Sequence, residues 1–150
     1  MTYTEDGLIE QPAINLFGQL DWETVTCWEE TFGEEGKAEG QQIGRETRSD
    51  VILYSRLRSA LTHLNPDIPA RIQQEAIDEI GRDRSAMSPI AANEEVYALL
   101  KDGYDYISNA EDEEDCTVRF IDWQQPDKND FLLCSQMTIS GEIENRRPDL

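Results

Sequence analysis

Three stripes of apolar residues at helical spacing follow one another between residues 48 and 102, and two segments of alternating residues come after them. Apolar residues three or four apart lie on one face of a helix, whereas alternating residues lie on opposite faces of a strand. The chain must therefore combine helices with a sheet. The stripes consist of Ile52, Leu53, Leu57, Ala60, Leu61 and Leu64, then Ile72, Ala76, Ile77 and Ile80, then Val96, Tyr97, Leu99 and Leu100.

Capping residues mark the ends of these helices. Ser49 or Asp50 is predicted to cap the first helix and Asn93 the third, because short polar side chains accept hydrogen bonds from the unpaired N–H groups of a first turn. Gly81 and Gly103 are predicted to end the second and third helices, since glycine adopts the conformations that terminate a helix. These signals predict three separate helices rather than one long one.

A further helix and a strand are predicted before the stripes. In the segment EDGLIEQPAINLFGQLDW, apolar residues again recur three and four apart, and Pro12 falls in the first turns, where its missing N–H costs least. The segment DWETVTCW that follows predicts a short strand. The glycine-rich segment 29–44 predicts a loop, and the acidic segment 109–115 predicts a solvated turn.

The two alternating segments predict strands at 116–123 and 131–141. The element order is then helix, strand, three helices and two strands, which is typical of α/β or α+β folds. No strand follows the stretch IENRRPDL at 143–150. We therefore expect an α/β fold whose sheet is incomplete at its C-terminal end.

The net charge of −19, from 32 acidic and 13 basic residues, argues against a protein that coats nucleic acid. Three interpretations remain. The chain could be an ordinary acidic cytoplasmic domain adapted to salt, a DNA mimic whose carboxylates imitate phosphates, or one part of an assembly whose basic surfaces lie elsewhere. Charge alone favours the first of these.

The cysteines and the hydropathy pattern predict a cytoplasmic protein without a membrane partner. Cys27, Cys116 and Cys134 are far apart and form no CxxC motif, and His63 is the single histidine, so no zinc site can be recognised. Unclustered cysteines suit a reducing cytoplasm, and we expect all three to be small apolar core residues. The sequence contains neither a signal-peptide pattern nor a run of about 18 apolar residues.

Residues that could carry chemistry are few. The motifs GxSxG, GxxxxGK[ST] and GxGxxG are absent, so no ATP site is predicted within these residues. His63, on a helix, is expected to be a surface or core-edge residue. Asp149, at the edge of the predicted sheet, and Glu10, on the apolar border of the first helix, could hold Mg²⁺, which takes hard oxygen ligands. From spacing alone, a turn residue and a first-turn charge are the simpler interpretation.

Six segments of the chain, in order, resemble the N-terminal region of the R (restriction) subunit of type I restriction endonucleases. They are IEQPAINLFGQLDW, GRETRSDVIL, RLRSALTHLNPDIP, NEEVYALLKDG, VRFIDWQQPDKNDFLLCSQMTISG and NRRPDL. The resemblance implies a Mg²⁺-dependent nuclease domain of the PD-(D/E)xK type, with a mixed sheet flanked by helices, that cuts double-stranded DNA. It also implies that the full subunit carries an ATP-driven DNA translocase and works with the modification and specificity subunits.

The resemblance assigns roles to two residues. Asp149 matches the aspartate of the family's first catalytic element and would be a metal ligand, and Glu10 matches a helix glutamate that points at the same metal. The glutamate and lysine of the ExK element would lie on the strand after Asp149. We therefore expect residues 1–150 to be the N-terminal part of a nuclease domain, truncated before that strand and inactive by itself. The alternative is an acidic, non-catalytic DNA mimic or interaction protein that acts on restriction machinery.

Overall fold

The computed structural model describes residues 9–33, 43–108, 114–141 and 145–146. They divide into two compact units, one from the described parts of Met1–Leu53 and Asp130–Leu150 and the other from those of Tyr54–Asn129. The first unit contains α1 (Gln11–Gln19), β1 (Glu23–Thr26), β4 (Leu132–Ser135), β5 (Ile139–Ser140) and β6 (Asn145–Arg146). The second contains α2 (Tyr54–Leu64), α3 (Ala70–Ile80), α4 (Pro89–Asp102), β2 (Tyr104–Tyr106), β3 (Cys116–Val118) and a 3₁₀ turn (Pro126–Lys128).

The first unit is built on a parallel pair of strands that are far apart in the sequence. β1 pairs with β4 from Glu23 opposite Leu132 to Thr26 opposite Ser135. The N–H of Cys27 continues the ladder by donating to the carbonyl oxygen of Ser135 at 2.9 Å. Parallel strands require a long connection, and here the whole second unit lies between the two strands in the sequence.

Aromatic rings hold α1 on this pair of strands. Trp22, between α1 and β1, stacks on Phe131 and lies tilted against Phe17, with ring centroids 4.7 Å apart in both pairs. Aromatic pairs in these geometries stabilise a fold beyond the area that they bury. The helix begins with Pro12 in its first turn, as predicted.

A buried ion pair fixes the segment that precedes the second unit. The guanidinium of Arg45 binds both carboxylate oxygens of Glu30, with Nε 2.9 Å from Oε1 and Nη2 against Oε2, and the two side chains are 0% and 4% exposed. The pairing with Glu30 raises the pKa of Arg45 above its ordinary value, and the guanidinium also lies over the ring of Phe32. Further N–H groups of Arg45 donate to the carbonyl oxygens of Arg48 (3.3 Å), Asp50 (3.2 Å) and Thr138 (2.9 Å).

The second unit contains an apolar core between its helices and the antiparallel pair β2–β3. The buried residues of this core are Leu61, Ile72, Ala76, Ile77, Val118 and Phe120. Five of the six are aliphatic, and four come from the first two predicted stripes. Ile52 and Leu53, which were predicted in the first stripe, precede α2 and are not part of this core. Buried Asn65 links α2 to the end of β3, because its amide donates to the carbonyl oxygen of Arg119 (2.9 Å) and accepts from the Arg119 N–H (2.8 Å).

The predicted helix starts were wrong at two places. Neither Ser49 nor Asp50 caps α2, which begins only at Tyr54. Asp50 instead closes the preceding turn, where its carboxylate accepts from the backbone N–H groups of residues 46 and 47 at 2.9 Å each. α4 is capped by Ser88, five residues before the predicted Asn93. The residue directly after Ser88 is a proline, whose fixed φ suits the first position of a helix. The helix therefore begins there and not at Asn93.

Two of the predicted apolar faces are less buried than expected. In α4, Tyr97 is 62% exposed, while Leu99 and Leu100 pack against the core from partly buried positions. The helix predicted at α1 is confirmed, but Ile9 and Leu16 on its apolar side are both more than half exposed. The predicted helix ends at Gly81 and Gly103 are confirmed.

The expected combination of helices and strands is confirmed, but the expected single mixed sheet is not found in the part of the chain that the structure describes. Its strands form three separate pairs: β1–β4 parallel, and β2–β3 and β5–β6 antiparallel. The predicted strand 116–123 ends at Val118, and the predicted strand 131–141 is interrupted after Ser135. β2 was not predicted. The segments 34–42 and 109–113 of the two predicted loops lie outside the described residues.

The cysteines are only partly core residues. Cys27 is buried, whereas Cys116 and Cys134 are of intermediate exposure, and all three are free thiols. Among the described residues, no helix is long and apolar enough to cross a membrane.

Candidate active site around Glu10

Glu10 is a buried carboxylate at the start of α1. Glu10 directly precedes the first residue of α1 and is 8% exposed. A buried carboxylate requires a hydrogen-bond donor to offset its lost hydration, and the side chain of Gln136 supplies one: its Nε2 donates to Oε2 of Glu10 at 2.8 Å.

Gln136 is the residue directly after β4, and its side chain reaches Glu10. Its φ is +58°, in the left-handed region that residues other than glycine rarely adopt. This conformation ends the parallel ladder and separates β4 from β5. The contact was not foreseen, because Gln136 was expected to continue a regular strand and no local pattern predicts a left-handed glutamine.

The second predicted site residue, Asp149, lies outside the described residues. The structure therefore gives the surroundings of Glu10 but not its distance from Asp149. Within the described ranges, no group of three or more histidine, cysteine, aspartate or glutamate residues is arranged to hold a metal ion. Glu10 has the hard oxygen donors that Mg²⁺ takes, so it fits as one ligand of a set that would need further members.

Two thiols lie near the C-terminal ends of β1 and β4. Cys27 follows β1, and Cys134 is the third residue of β4. A hydrogen bond with Cys134, together with burial, raises the pKa of the Cys27 thiol far above its ordinary value. Buried and held in this hydrogen bond, Cys27 packs as a small apolar side chain, as free cysteines commonly do. His63 is exposed on α2, which confirms its prediction as a surface residue.

The sequence matches, over residues 2–150, the family described as the type I restriction enzyme R protein N terminus. The chain belongs to this family. It is also 26% identical over 129 residues to the type I restriction enzyme HindI endonuclease subunit of Haemophilus influenzae, a match that covers 82% of this chain and 12% of that protein. No solved structure matches the chain.

Proposed function

We propose that this region acts in the DNA-cleaving subunit of a type I restriction-modification complex, as the N-terminal part of a Mg²⁺-dependent endonuclease domain. The observation that carries the proposal is the family match, which extends over residues 2–150. The proposed partners are the modification and specificity subunits and double-stranded DNA, in the cytoplasm. An ATP-driven translocase would occupy another part of the subunit and would bind the ATP.

Glu10 and Asp149 are the proposed metal ligands. When bound, Mg²⁺ lowers the pKa of a coordinated water and stabilises negative charge on a phosphate. Glu10 is suited to the role because its carboxylate is buried, and a buried charge attracts a cation more strongly than a hydrated one does. The expected ExK element, on the strand after Asp149, would supply the remaining carboxylate and the lysine.

The proposed roles can be tested in the R subunit that contains this region, assembled with its modification and specificity subunits. We expect Asp149→Asn and Glu10→Ala to abolish cleavage of plasmid DNA while ATP hydrolysis continues at the wild-type rate. Glu75→Gln is the matched control, since Glu75 is a half-exposed carboxylate on α3. Normal cleavage by both site variants would refute the proposed metal site.

The charge of the chain leads to a second test of this proposal. With a net charge of −19, the 150-residue chain by itself should bind duplex DNA weakly or not at all, because few cations are available to replace the counterions of the phosphates. DNA would then be held by other parts of the complex. Submicromolar, salt-sensitive binding of the chain to duplex DNA in a fluorescence anisotropy titration would contradict this expectation.

A further inference from the structure

We propose that Gln136 is a positioning residue for Glu10, and that it holds the buried carboxylate in the orientation in which Glu10 would bind Mg²⁺. The inference rests on the metal-ligand role proposed for Glu10 above. The amide nitrogen of Gln136 lies 2.8 Å from Oε2 of Glu10, although the two residues are 126 positions apart in the sequence. The contact thus exists because the fold brings the end of β4 beside the start of α1.

The backbone of Gln136 is strained at the point of contact. Its φ of +58° is unfavourable for a residue with a long side chain, whereas glycine and asparagine adopt such values more readily. The turn after β4 by itself would be better served by either of those residues. The presence of glutamine is therefore explained by its side chain, which reaches Glu10. Strained residues of this kind occur where function requires a particular orientation.

The chemistry of the contact favours a site over a purely structural role. Among the described residues of the first unit, the carboxylates of Glu10 and Glu30 are both buried, and they have different hydrogen-bond partners. Both oxygens of Glu30 are bound by the guanidinium of Arg45, which neutralises its charge. Gln136 instead offers a neutral amide to one oxygen of Glu10. A neutral donor orients a carboxylate and leaves its negative charge available for a cation.

Gln136→Asn distinguishes the role of the Gln136 side chain from the effect of its backbone conformation. Asparagine tolerates positive φ, so the turn after β4 is kept, but its amide is one methylene shorter and no longer reaches Glu10. Gln136→Gly provides the same distinction with no side chain at all. Gln124→Asn is the matched control, because Gln124 is an exposed glutamine in the second unit.

In the assembled complex, we expect both Gln136 variants to need more Mg²⁺ for cleavage. The concentration that gives half-maximal cleavage should rise about tenfold, the factor that corresponds to the loss of one hydrogen bond to a charged group. ATP hydrolysis should be unchanged in the same samples, since a disrupted subunit would lose both activities. The control Gln124→Asn should match the wild-type protein in both assays.

A second readout requires neither metal nor catalysis. In the 150-residue chain without Mg²⁺, Gln136→Asn and Glu10→Ala should each shift the thermal midpoint, and the double variant should shift it by less than the sum. Such non-additivity is expected of two side chains that contact each other. Additive shifts would overturn the inference, because they would mean that the hydrogen bond does not couple Gln136 to Glu10.

The outcomes distinguish the inference from the function on which it rests. If Glu10→Ala cuts DNA normally, the proposed role of Glu10 fails, and the positioning role of Gln136 fails with it. If Glu10→Ala is inactive but Gln136→Asn cuts with wild-type Mg²⁺ dependence, only the positioning role fails. A raised Mg²⁺ requirement in both Gln136 variants, together with non-additive thermal shifts, supports it.

Discussion

Replacement of Arg45 by methionine should be among the most damaging single changes in the first unit. Methionine is unbranched and apolar, so it replaces the aliphatic stem of Arg45 but removes the guanidinium and its charge. The side chain of Glu30, which is 4% exposed, would lose its counter-ion. Breaking a buried ion pair in this way typically costs about 3–5 kcal/mol. We expect a loss of that size in the free energy of unfolding.

The double variant Arg45→Met/Glu30→Met tests the reason for this loss. With both charges removed, the penalty for an unpaired buried carboxylate disappears. The three backbone carbonyls that accepted from Arg45 still lose a donor, at roughly 1 kcal/mol or less each. The double variant should therefore lie about 1–3 kcal/mol below the wild-type chain, and should recover about 2 kcal/mol relative to the single variant.

The measurement is urea unfolding of the 150-residue chain, followed by tryptophan fluorescence. Trp22, stacked on Phe131, reports on the first unit; the background substitution Trp123→Phe removes the tryptophan of the second unit. Glu75→Gln is the control, because its half-exposed pair with Arg71 should contribute less than about 1 kcal/mol. A double variant no more stable than Arg45→Met, or a cost below about 1 kcal/mol for Arg45→Met, would contradict a penalty for an unpaired buried charge.

Three further predictions can be tested. Gly103→Ala should lower the free energy of unfolding by about 1–3 kcal/mol in urea titrations, because φ is +93° and a Cβ would lie 2.7 Å from the Val118 carbonyl oxygen; an unchanged value would contradict this. In the folded chain at pH 8, Cys27 should be alkylated more slowly than Cys134, since the pKa of its thiol is raised; equal rates by peptide mass mapping would be inconsistent with that. The pKa of Asp50 is lowered by hydrogen bonds, chiefly the one from the backbone N–H of residue 47. Its contribution to stability is therefore present above about pH 4 and is lost as the pH falls through the pKa of Asp50 in the folded chain. Asp50→Asn should reduce this dependence of the thermal midpoint on acid pH.

The helical part of the fold could be predicted from the sequence because its signals are local. Leu61 and Ile72, from the first two stripes, lie in the core as expected, and Gly81 and Gly103 end their helices. Helix starts were less predictable, since several polar residues compete for the same role. The carboxylate of Asp50 accepts hydrogen bonds within a turn rather than at the start of a helix. Ser88 is favoured as a helix cap by the proline that follows it.

The strands were harder to predict, because pairing depends on residues that are distant in the sequence. The alternating pattern from 131 to 141 continues through Gln136 without a break, yet the backbone turns there at φ +58°. In the same way, β2 has only three residues, and it is defined by its partner β3 rather than by a pattern of its own. A short strand gains most of its stability from the neighbour against which it packs.

The candidate site combines both situations. Glu10 could be proposed from the sequence, because its segment resembles that of a known family, but its partner Gln136 could not. Gln136 is held from both sides: Ser135 before it is the last residue of the ladder with β1, and the carbonyl of Thr138 after it is bound by Arg45. A strained residue persists only where its surroundings determine its conformation. The buried charge of Arg45 therefore stabilises the fold and also fixes the turn from which Gln136 reaches Glu10.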